Sequence, residues 1–249
     1  MKKIFILFLS FFCCLEAISD DLSPSEIIRK MEEVTRGDSS YAEITMKIER
    51  PRYTREIALR AWALGQDFSL VLVTSPARDE GTVFLKRKSE IWNYIPSVDR
   101  VIKLPPSMMA QSWMGSDFSN DDLVRDTSLL SDYSHKIVDT ENYNGRQAWI
   151  IELTPLAEAA IVWGKVKMWI CQKDFIQLRT ENYDQNNTLA QVLEFSNIKE
   201  MGGRNLPSRM VMSPVDSEQF TVLEYQKLDF NIEIKEDFFT QRNMQRLHR

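Results

Sequence analysis

Along most of this chain apolar and polar residues alternate one by one, and this spacing constrains the fold more than any other feature. Alternation at a period of two places successive side chains on opposite faces of an extended strand, so it predicts β-structure. Turn signals such as Asn144-Gly145 and Gly202-Gly203 separate the segments, and such short connections predict antiparallel neighbours. The predicted strands are 41–50, 54–64, 68–74, 82–88, 90–95, 100–104, 135–142, 146–154, 165–172, 175–183, 188–200, 206–213 and 218–231.

Two helices are predicted, one near each end of the alternating region. Residues 23–26 have the pattern of a helix start, with Ser23 as the N-cap, Pro24 in the first turn and Glu26 three residues after the cap. A second, short helix is predicted over residues 237–247. The apolar stripe of the first helix, which ends at Gly37, consists of Ile27, Ile28, Met31 and Val34.

The alternation stops between Ser107 and Asp132, where the sequence becomes rich in Met, Ser and Asp. Large apolar residues in such a segment need an apolar partner, which the concave face of a curved sheet would supply. We therefore predict a helical insertion over the sheet, and the sequence leaves open whether it is a fixed plug or a lid that opens. Its large apolar residues are Met108, Met109, Trp113, Met114 and Phe118.

Several predicted strands are apolar on both faces, as where Trp149 and Ile151 alternate with Ala148 and Ile150. Burial of one face alone would leave one of these rows in water. No linker rich in Pro, Gly or Ser divides the sequence, so we expect residues 20–249 to form a single domain. Its predicted class is α+β, mainly β: a strongly curved antiparallel sheet covered by an N-terminal helix and a mid-chain helical lid.

The first residues have the three parts of a secretory signal peptide: a positive end, a short apolar run and small residues before the cleavage point. We expect residues 1–19 to be this leader, with cleavage after Ser19 and export of the rest. Lipid anchoring at Cys13 or Cys14 is the alternative. Bulky Phe11 and Phe12 precede these cysteines where lipoprotein processing prefers small residues, so the simple leader is favoured.

The charge balance and the scarcity of reactive residues exclude several function classes. The chain has 31 Lys and Arg against 36 Asp and Glu, for a net charge of −5, whereas nucleic-acid-binding proteins usually concentrate positive charge. It has two histidines, His135 and His248, and no G-x-S-x-G motif that would mark a hydrolase serine. Removal of the leader would leave Cys171 as the one cysteine, which we expect to be a buried apolar residue.

A metal site is also disfavoured. An acidic cluster formed by Asp117, Asp121, Asp122 and Asp126 lacks the alternating ligands and the turn glycine of a calcium loop. Ser119 followed by acidic residues instead has the pattern of a helix N-terminus. We therefore predict a protein that is not an enzyme and that carries no metal or cofactor.

The residues that suggest a function are large and apolar. Methionine adapts to irregular apolar ligands, and tryptophan supplies a wide wall with a polar edge. A carrier of lipid or acyl chains fits this composition, because burial of each methylene contributes about 0.8 kcal/mol without any catalytic group. The candidate cavity wall and lid residues are Trp62, Trp92, Tyr94, Met108, Met109, Trp113, Met114, Trp149 and Trp169.

Two segments give the chain a family resemblance. Residues 91–101 (IWNYIPSVDRV) and 113–123 (WMGSDFSNDDL) resemble the outer-membrane lipoprotein-sorting proteins of the LolA-like superfamily, and residues 165–170 (KVKMWI) and 238–240 (FFT) extend the likeness. The resemblance implies a half-open β-barrel with helices across its mouth. It also implies a cavity that holds acyl chains of a lipoprotein or lipid on the way through the periplasm.

The partners implied by the resemblance are an inner-membrane transporter complex and an outer-membrane acceptor. An alternative function is a periplasmic interaction module or sensor subunit of a membrane transport complex, in which the cavity is ordinary core, because the same fold serves such proteins. A third hypothesis, a hydrolase of lipid esters, would require a serine close to His135.

Overall fold

The computed structural model of the chain describes residues 22–88, 90–120, 122, 129–159 and 161–247. The predictions for the leader (1–19), for Cys13 and Cys14, for Asp121 and Asp126 and for His248 lie outside the described residues.

Within these ranges, thirteen antiparallel strands form one continuous sheet. Each strand coincides with a predicted one to within two residues at either end, so the mainly β prediction is confirmed. The strands are β1 (Ser39–Arg50), β2 (Tyr53–Leu64), β3 (Phe68–Ser75), β4 (Val83–Arg87), β5 (Glu90–Ile95), β6 (Arg100–Lys103), β7 (Tyr133–Tyr143), β8 (Arg146–Pro155), β9 (Lys165–Cys171), β10 (Gln177–Tyr183), β11 (Leu189–Met201), β12 (Arg204–Pro214) and β13 (Phe220–Phe230).

The first and last strands lie side by side in the middle of the sheet. The strand order is β6-β5-β4-β3-β2-β1-β13-β12-β11-β10-β9-β8-β7, so every pairing except β1 with β13 joins strands that follow each other in sequence. β6 and β7 are the two edges, and the sheet curves without closing. The predicted insertion connects these two edge strands across residues 104–132.

The strand register separates an inner and an outer face, because residues paired across neighbouring strands point to the same side. We define the inner face by one paired row, Ala42, Ala61, Val71 and Phe84. The adjacent row on the outer face consists of Tyr41, Trp62, Leu70, Leu85 and Trp92.

Helices pack on both faces of the sheet. Helix α1 (Pro24–Thr35) packs Ile27 and Ile28 against Ile151 and Met168 on the inner face of β8 and β9. Helix α2 (Gln241–Leu247) covers the outer face of β3, β4 and β5, where Met244 is fully buried. On β8 and β9 the outer-face residues Ile150 and Trp169 are buried in a separate apolar cluster with Leu178, so both faces of these strands are buried. None of the helices in the described ranges is long and apolar enough to cross a membrane.

The start of α1 has the predicted capping box. The backbone N–H of Ser23 donates to Glu26 Oε2 at 2.8 Å and its hydroxyl donates to the same oxygen at 2.6 Å. These two hydrogen bonds, the one from the hydroxyl first, hold the pKa of the Glu26 carboxyl below its ordinary value of 4.5. The ionised carboxylate therefore stabilises the fold above about pH 4.5, and this contribution is lost as the pH falls through the lowered pKa.

Replacing Ser23 with alanine is expected to raise the pKa of Glu26 toward 4.5, because the stronger of the two hydrogen bonds is removed. An NMR titration of the Glu26 carboxyl carbon would measure the shift. Ser25→Ala is the matched control, since the Ser25 hydroxyl contacts His135 instead of Glu26. An unchanged Glu26 pKa in Ser23→Ala would contradict the assigned cause.

Candidate functional site

A cavity of about 1180 Å³ lies against the inner face of the sheet, between α1 and the insertion. Pockets for drug-sized ligands usually have volumes of about 300–1,000 Å³, so this cavity can hold a larger ligand. Its apolar lining from the strands includes Ala42, Ile44, Leu59, Ala61, Ala63, Val71, Val166, Met168, Leu193, Phe195, Met210, Met212 and Leu223.

Small residues on two central strands create much of this space. Ala42 of β1 pairs directly with Ala61 of β2, and both face the cavity. On the outer face the next pair is Tyr41 with Trp62, whose ring centroids lie 5.3 Å apart. The alternation of these strands thus places alanines on the inner face and aromatic rings on the outer face, which leaves a hollow on the concave side.

The insertion forms the opposite wall of the cavity. Trp113 is 1% exposed, and its ring centroid lies 5.2 Å from that of Phe84 on β4. Phe118 is buried in the same inner-face cluster, and Met109 packs against it. The backbone N–H of Asp122 donates to the Ser119 hydroxyl at 3.1 Å and the Ser119 backbone N–H donates to Asp122 Oδ2 at 2.8 Å, which is the reciprocal hydrogen bonding expected where a helix starts.

Hydrogen bonds fasten the insertion to the ends of three strands. Arg50 Nη1 lies 3.0 Å from Asp117 Oδ2, and its Nη2 donates to the carbonyl oxygen of Gly115 at 2.7 Å. Thr221 on β13 donates its hydroxyl to Asp117 Oδ2 at 2.6 Å and accepts a hydrogen bond from the Asp117 backbone N–H. Arg55 Nη1 donates to the carbonyl oxygen of Met114 at 2.8 Å.

Three of the nine candidate residues border the cavity: Trp62, Met109 and Trp113. The ring of Trp62 nevertheless contacts Tyr41 and Phe238 on the outer face. Met108 and Met114 belong to the insertion but are not among the lining residues.

Trp92 and Tyr94 lie on the outer face, in the cluster covered by α2. Tyr94 is 2% exposed, and its hydroxyl donates to Asp99 Oδ1 at 3.0 Å. The strand register places both rings on the outer face, because Trp92 pairs with Leu85 of the outer row and Tyr94 lies two residues further along β5. These two rings pack against the face of the sheet opposite the cavity and do not line it.

Trp149 and Trp169 also lie away from the cavity, for different reasons. Trp149 is on the inner face, where it packs in the α1 cluster with its ring centroid 5.7 Å from that of Phe175. Trp169 pairs with Ile150 on the outer face and donates its indole N–H to Glu141 Oε1 at 2.6 Å.

The cavity includes residues that were not among the candidates. Trp163 lines it from the segment between β8 and β9. Two neighbouring strands line it further, β11 with Leu193 and Phe195 and β12 with Met210 and Met212. The spacing of these pairs could be read from the sequence. The hollow itself lies at Ala42 and Ala61, and a search for large apolar residues passes over alanines.

His135 has partners other than a carboxylate. Its Nε2 lies 2.6 Å from the carbonyl oxygen of Leu129, and its Nδ1 lies 3.0 Å from the hydroxyl of Ser25 on α1. Because a carbonyl oxygen can only accept, Nε2 carries a proton, and in the neutral ring Nδ1 then accepts from the Ser25 hydroxyl. At the other end of α1, Arg204 donates to the carbonyl oxygens of Glu33 and Val34, so the helix is anchored at both ends.

The remaining reactive residues are held by structural contacts. Cys171 is a buried free thiol in an apolar cluster, as expected for a core residue. Of the acidic cluster, Asp117 binds Arg50 and Asp122 caps a helix start. The described part of the chain contains no group of three or more His, Cys, Asp or Glu side chains that could hold a metal ion.

Comparison with known proteins identifies the family and the fold. Residues 65–246, more than half of the chain, match the model of a family described as "uncharacterized protein". No curated protein matches the chain. A DUF1329 family protein from Desulfovibrio piger superposes with a TM-score of 0.82 at 23% identity, over 89% of this chain and 98% of that one.

Two further solved structures have the same fold. A putative outer membrane lipoprotein-sorting protein domain from Vibrio parahaemolyticus has a TM-score of 0.79 at 22% identity, over 89% of this chain and 98% of that one. A LolA superfamily protein from Nitrosomonas europaea has a TM-score of 0.75 at 22% identity, over 89% and 99% of the two chains. The chain belongs to the matched family, and its fold is that of the outer-membrane lipoprotein-sorting proteins in the LolA-like superfamily.

Proposed function

We propose that the protein is a periplasmic carrier that holds the acyl chains of a lipoprotein or lipid in the inner-face cavity during transport toward the outer membrane. The observation that carries this proposal is the cavity itself, about 1180 Å³ lined mostly by alanine, aliphatic, methionine and aromatic side chains. The leader predicted at residues 1–19 would place the carrier in the periplasm. Its donor and acceptor would be an inner-membrane transporter complex and an outer-membrane acceptor.

The energetics favour a long apolar chain as the ligand. Each methylene removed from water contributes about 0.8 kcal/mol, and the adaptable side chains of Met109, Met168, Met210 and Met212 face the space. In this proposal the insertion acts as the lid, with Met108, Met109, Trp113 and Met114 on it. Hydrolysis of the cargo is not part of the proposal, because the Ser25 and His135 pair is completed by a backbone carbonyl where a hydrolase would place a carboxylate.

The direct test is extraction of the purified mature protein followed by mass spectrometry for lipid, together with titration by a fluorescent fatty acid. We expect co-purified lipid and saturable binding of the probe. An empty protein that does not bind the probe would contradict the carrier function and would favour the interaction module.

A matched pair of variants tests where the acyl chain of the ligand binds. Ala61→Phe places a ring in the hollow between β1 and β2, and we expect it to weaken binding of the fluorescent fatty acid at least tenfold because the bound chain loses that volume. Ala58→Phe makes the same change on the same strand, but its residue pairs with Thr45 on the outer face, so binding should be unchanged. Equal affinities of the two variants would contradict the assigned site.

A further inference from the structure

We propose that the cavity recognises an uncharged acyl linkage, an ester or an amide, through the paired side-chain amides of Asn182 and Gln191. This inference rests on the proposed carrier function and specifies the chemical class of the ligand, an acyl chain joined to the rest of the molecule through a carbonyl group. The carbonyl oxygen accepts hydrogen bonds from the two amides, and the chain lies along the apolar lining.

Asn182 is a buried amide in the cavity lining. It lies on β10 and is 8% exposed. Its register partners are Val166 of β9 and Gln191 of β11, and both of these residues also line the cavity. The side chain of Asn182 has no hydrogen-bond partner among the described residues. Buried polar groups in folded proteins are usually hydrogen-bonded, so this amide is available to a ligand.

Gln191 places a second amide beside the first. Directly paired residues of antiparallel strands have Cβ atoms about 4.5–5.5 Å apart, so both amides can reach one bound group. The side chain of Gln191 also has no hydrogen-bond partner among the described residues. Each amide is uncharged and carries N–H donors and an acceptor oxygen, whichever way it is turned. A carbonyl oxygen has two lone pairs, so it can accept one hydrogen bond from each amide.

The strand positions next to the amide pair are mostly apolar. The register partners on β9 and β11 include Val166, Met168 and Leu193. Thr180, the preceding inner-face residue of β10, is 6% exposed, and its hydroxyl accepts a hydrogen bond from the Gln177 amide. Amides without partners in such surroundings cost stability in the empty protein, and a ligand that supplies the missing hydrogen bonds recovers this free energy.

The amide pair lies at an end of the cavity that meets solvent. The segment between β8 and β9 passes over the end of β10, where Gly164 N donates to the carbonyl oxygen of Tyr183 at 2.9 Å. A Cβ atom on Gly164 would lie 2.4 Å from the carbonyl oxygen of Asp184, so this close approach requires glycine. In the same segment Val162 borders the cavity and is 62% exposed. The linkage is therefore held near the surface, while the chain extends inward.

The test compares uncharged ligands of one chain length that differ in the linkage. We would measure displacement of the fluorescent fatty acid from the full mature protein by monopalmitoylglycerol, N-palmitoylethanolamine and 1-O-hexadecylglycerol, in which an ether replaces the carbonyl group. The ester and the amide are expected to bind about tenfold more tightly than the ether, a factor that hydrogen bonds to neutral groups give. A preference for only one of these two ligands would assign the linkage to that class.

The variants assign this preference to the two residues. Asn182→Leu should bring the affinities for the ester and the amide down to that of the ether and leave the ether affinity unchanged, and Gln191→Met should reduce the preference severalfold. Without ligand, Asn182→Leu should be at least as stable to urea as the natural protein, because an apolar side chain replaces an amide that has no partner. Asn205→Leu is the control, since this residue is exposed on β12 and is not among the lining residues.

Equal affinities for the carbonyl and ether ligands in the natural protein would overturn this inference while the carrier function stands. A preference that survives in both variants would overturn it as well. So would a large loss of stability in ligand-free Asn182→Leu, since the amide would then serve the fold, and Gln191→Met keeps the binding test decisive in that case. If neither the probe nor any of the three ligands binds, the proposed carrier function itself fails.

Discussion

Replacing Trp113 with alanine is expected to lower the free energy of unfolding by about 3–5 kcal/mol, the usual cost of truncating a buried tryptophan. Trp113 is 1% exposed and packs on Phe84, in the cluster that joins the insertion to the inner face of the sheet. Trp113 is among the largest fully buried side chains, so its removal takes a large part of the packing from this cluster. Urea unfolding followed by circular dichroism would measure the change.

Two companion variants separate the loss of packing from other effects. The indole Nε1 of Trp113 is buried without a hydrogen-bond partner among the described residues, so Trp113→Phe removes a donor that the fold does not satisfy. We expect this variant to be clearly more stable than Trp113→Ala. Trp92→Ala removes a half-buried ring on the outer face and should leave proteolytic cleavage within residues 104–120 unchanged, whereas Trp113→Ala should accelerate it. Similar cleavage in both would contradict the anchoring role of Trp113.

The strands of this fold could be predicted from the sequence because their signals are local. Alternation and turn chemistry mark each hairpin: Asn144 and Gly145 have φ of +51° and +82°, and Gly202 and Gly203 have φ of +56° and +76°. Positive φ at both central residues matches the twist of antiparallel strands, which explains why these two-residue turns are recognisable. The pairing of β1 with β13 could not be predicted in this way, since no turn connects them.

The site was harder to predict because alternation does not tell which face is concave. β8 and β9 are apolar on both sides, so Trp149 and Trp169 were equal candidates although they point in opposite directions. The tryptophans also did not mark the cavity, since Trp92, Trp149 and Trp169 pack in apolar clusters away from it. The hollow is marked by the absence of bulk at Ala42 and Ala61, which becomes meaningful only when the register places the two residues side by side.

The second large effect is expected at the ion pair that fastens the insertion. The side chains of Arg50 and Asp117 are 12% and 4% exposed, so Arg50→Met leaves a nearly buried carboxylate without its cation. It also removes the donor to the carbonyl oxygen of Gly115. Loss of one partner of a buried pair typically costs about 3–5 kcal/mol, and we expect a decrease near the lower end because Thr221 continues to donate to Asp117. Arg29→Met, which breaks an exposed pair with Glu33 on α1, is the control and should cost about 0.5 kcal/mol or less.

A double-mutant cycle shows whether the effect belongs to the pair itself. Asp117→Asn keeps an oxygen for the Thr221 hydroxyl but removes the charge, so in the Arg50→Met background it should restore part of the lost stability, because no buried carboxylate then lacks a cation. The coupling energy between the two sites should be about 1–3 kcal/mol. Additive effects would mean that Arg50 acts mainly through the backbone oxygens of Gly115 and Phe220. A large coupling energy would mean that the proposed lid can open only after this ion pair is broken.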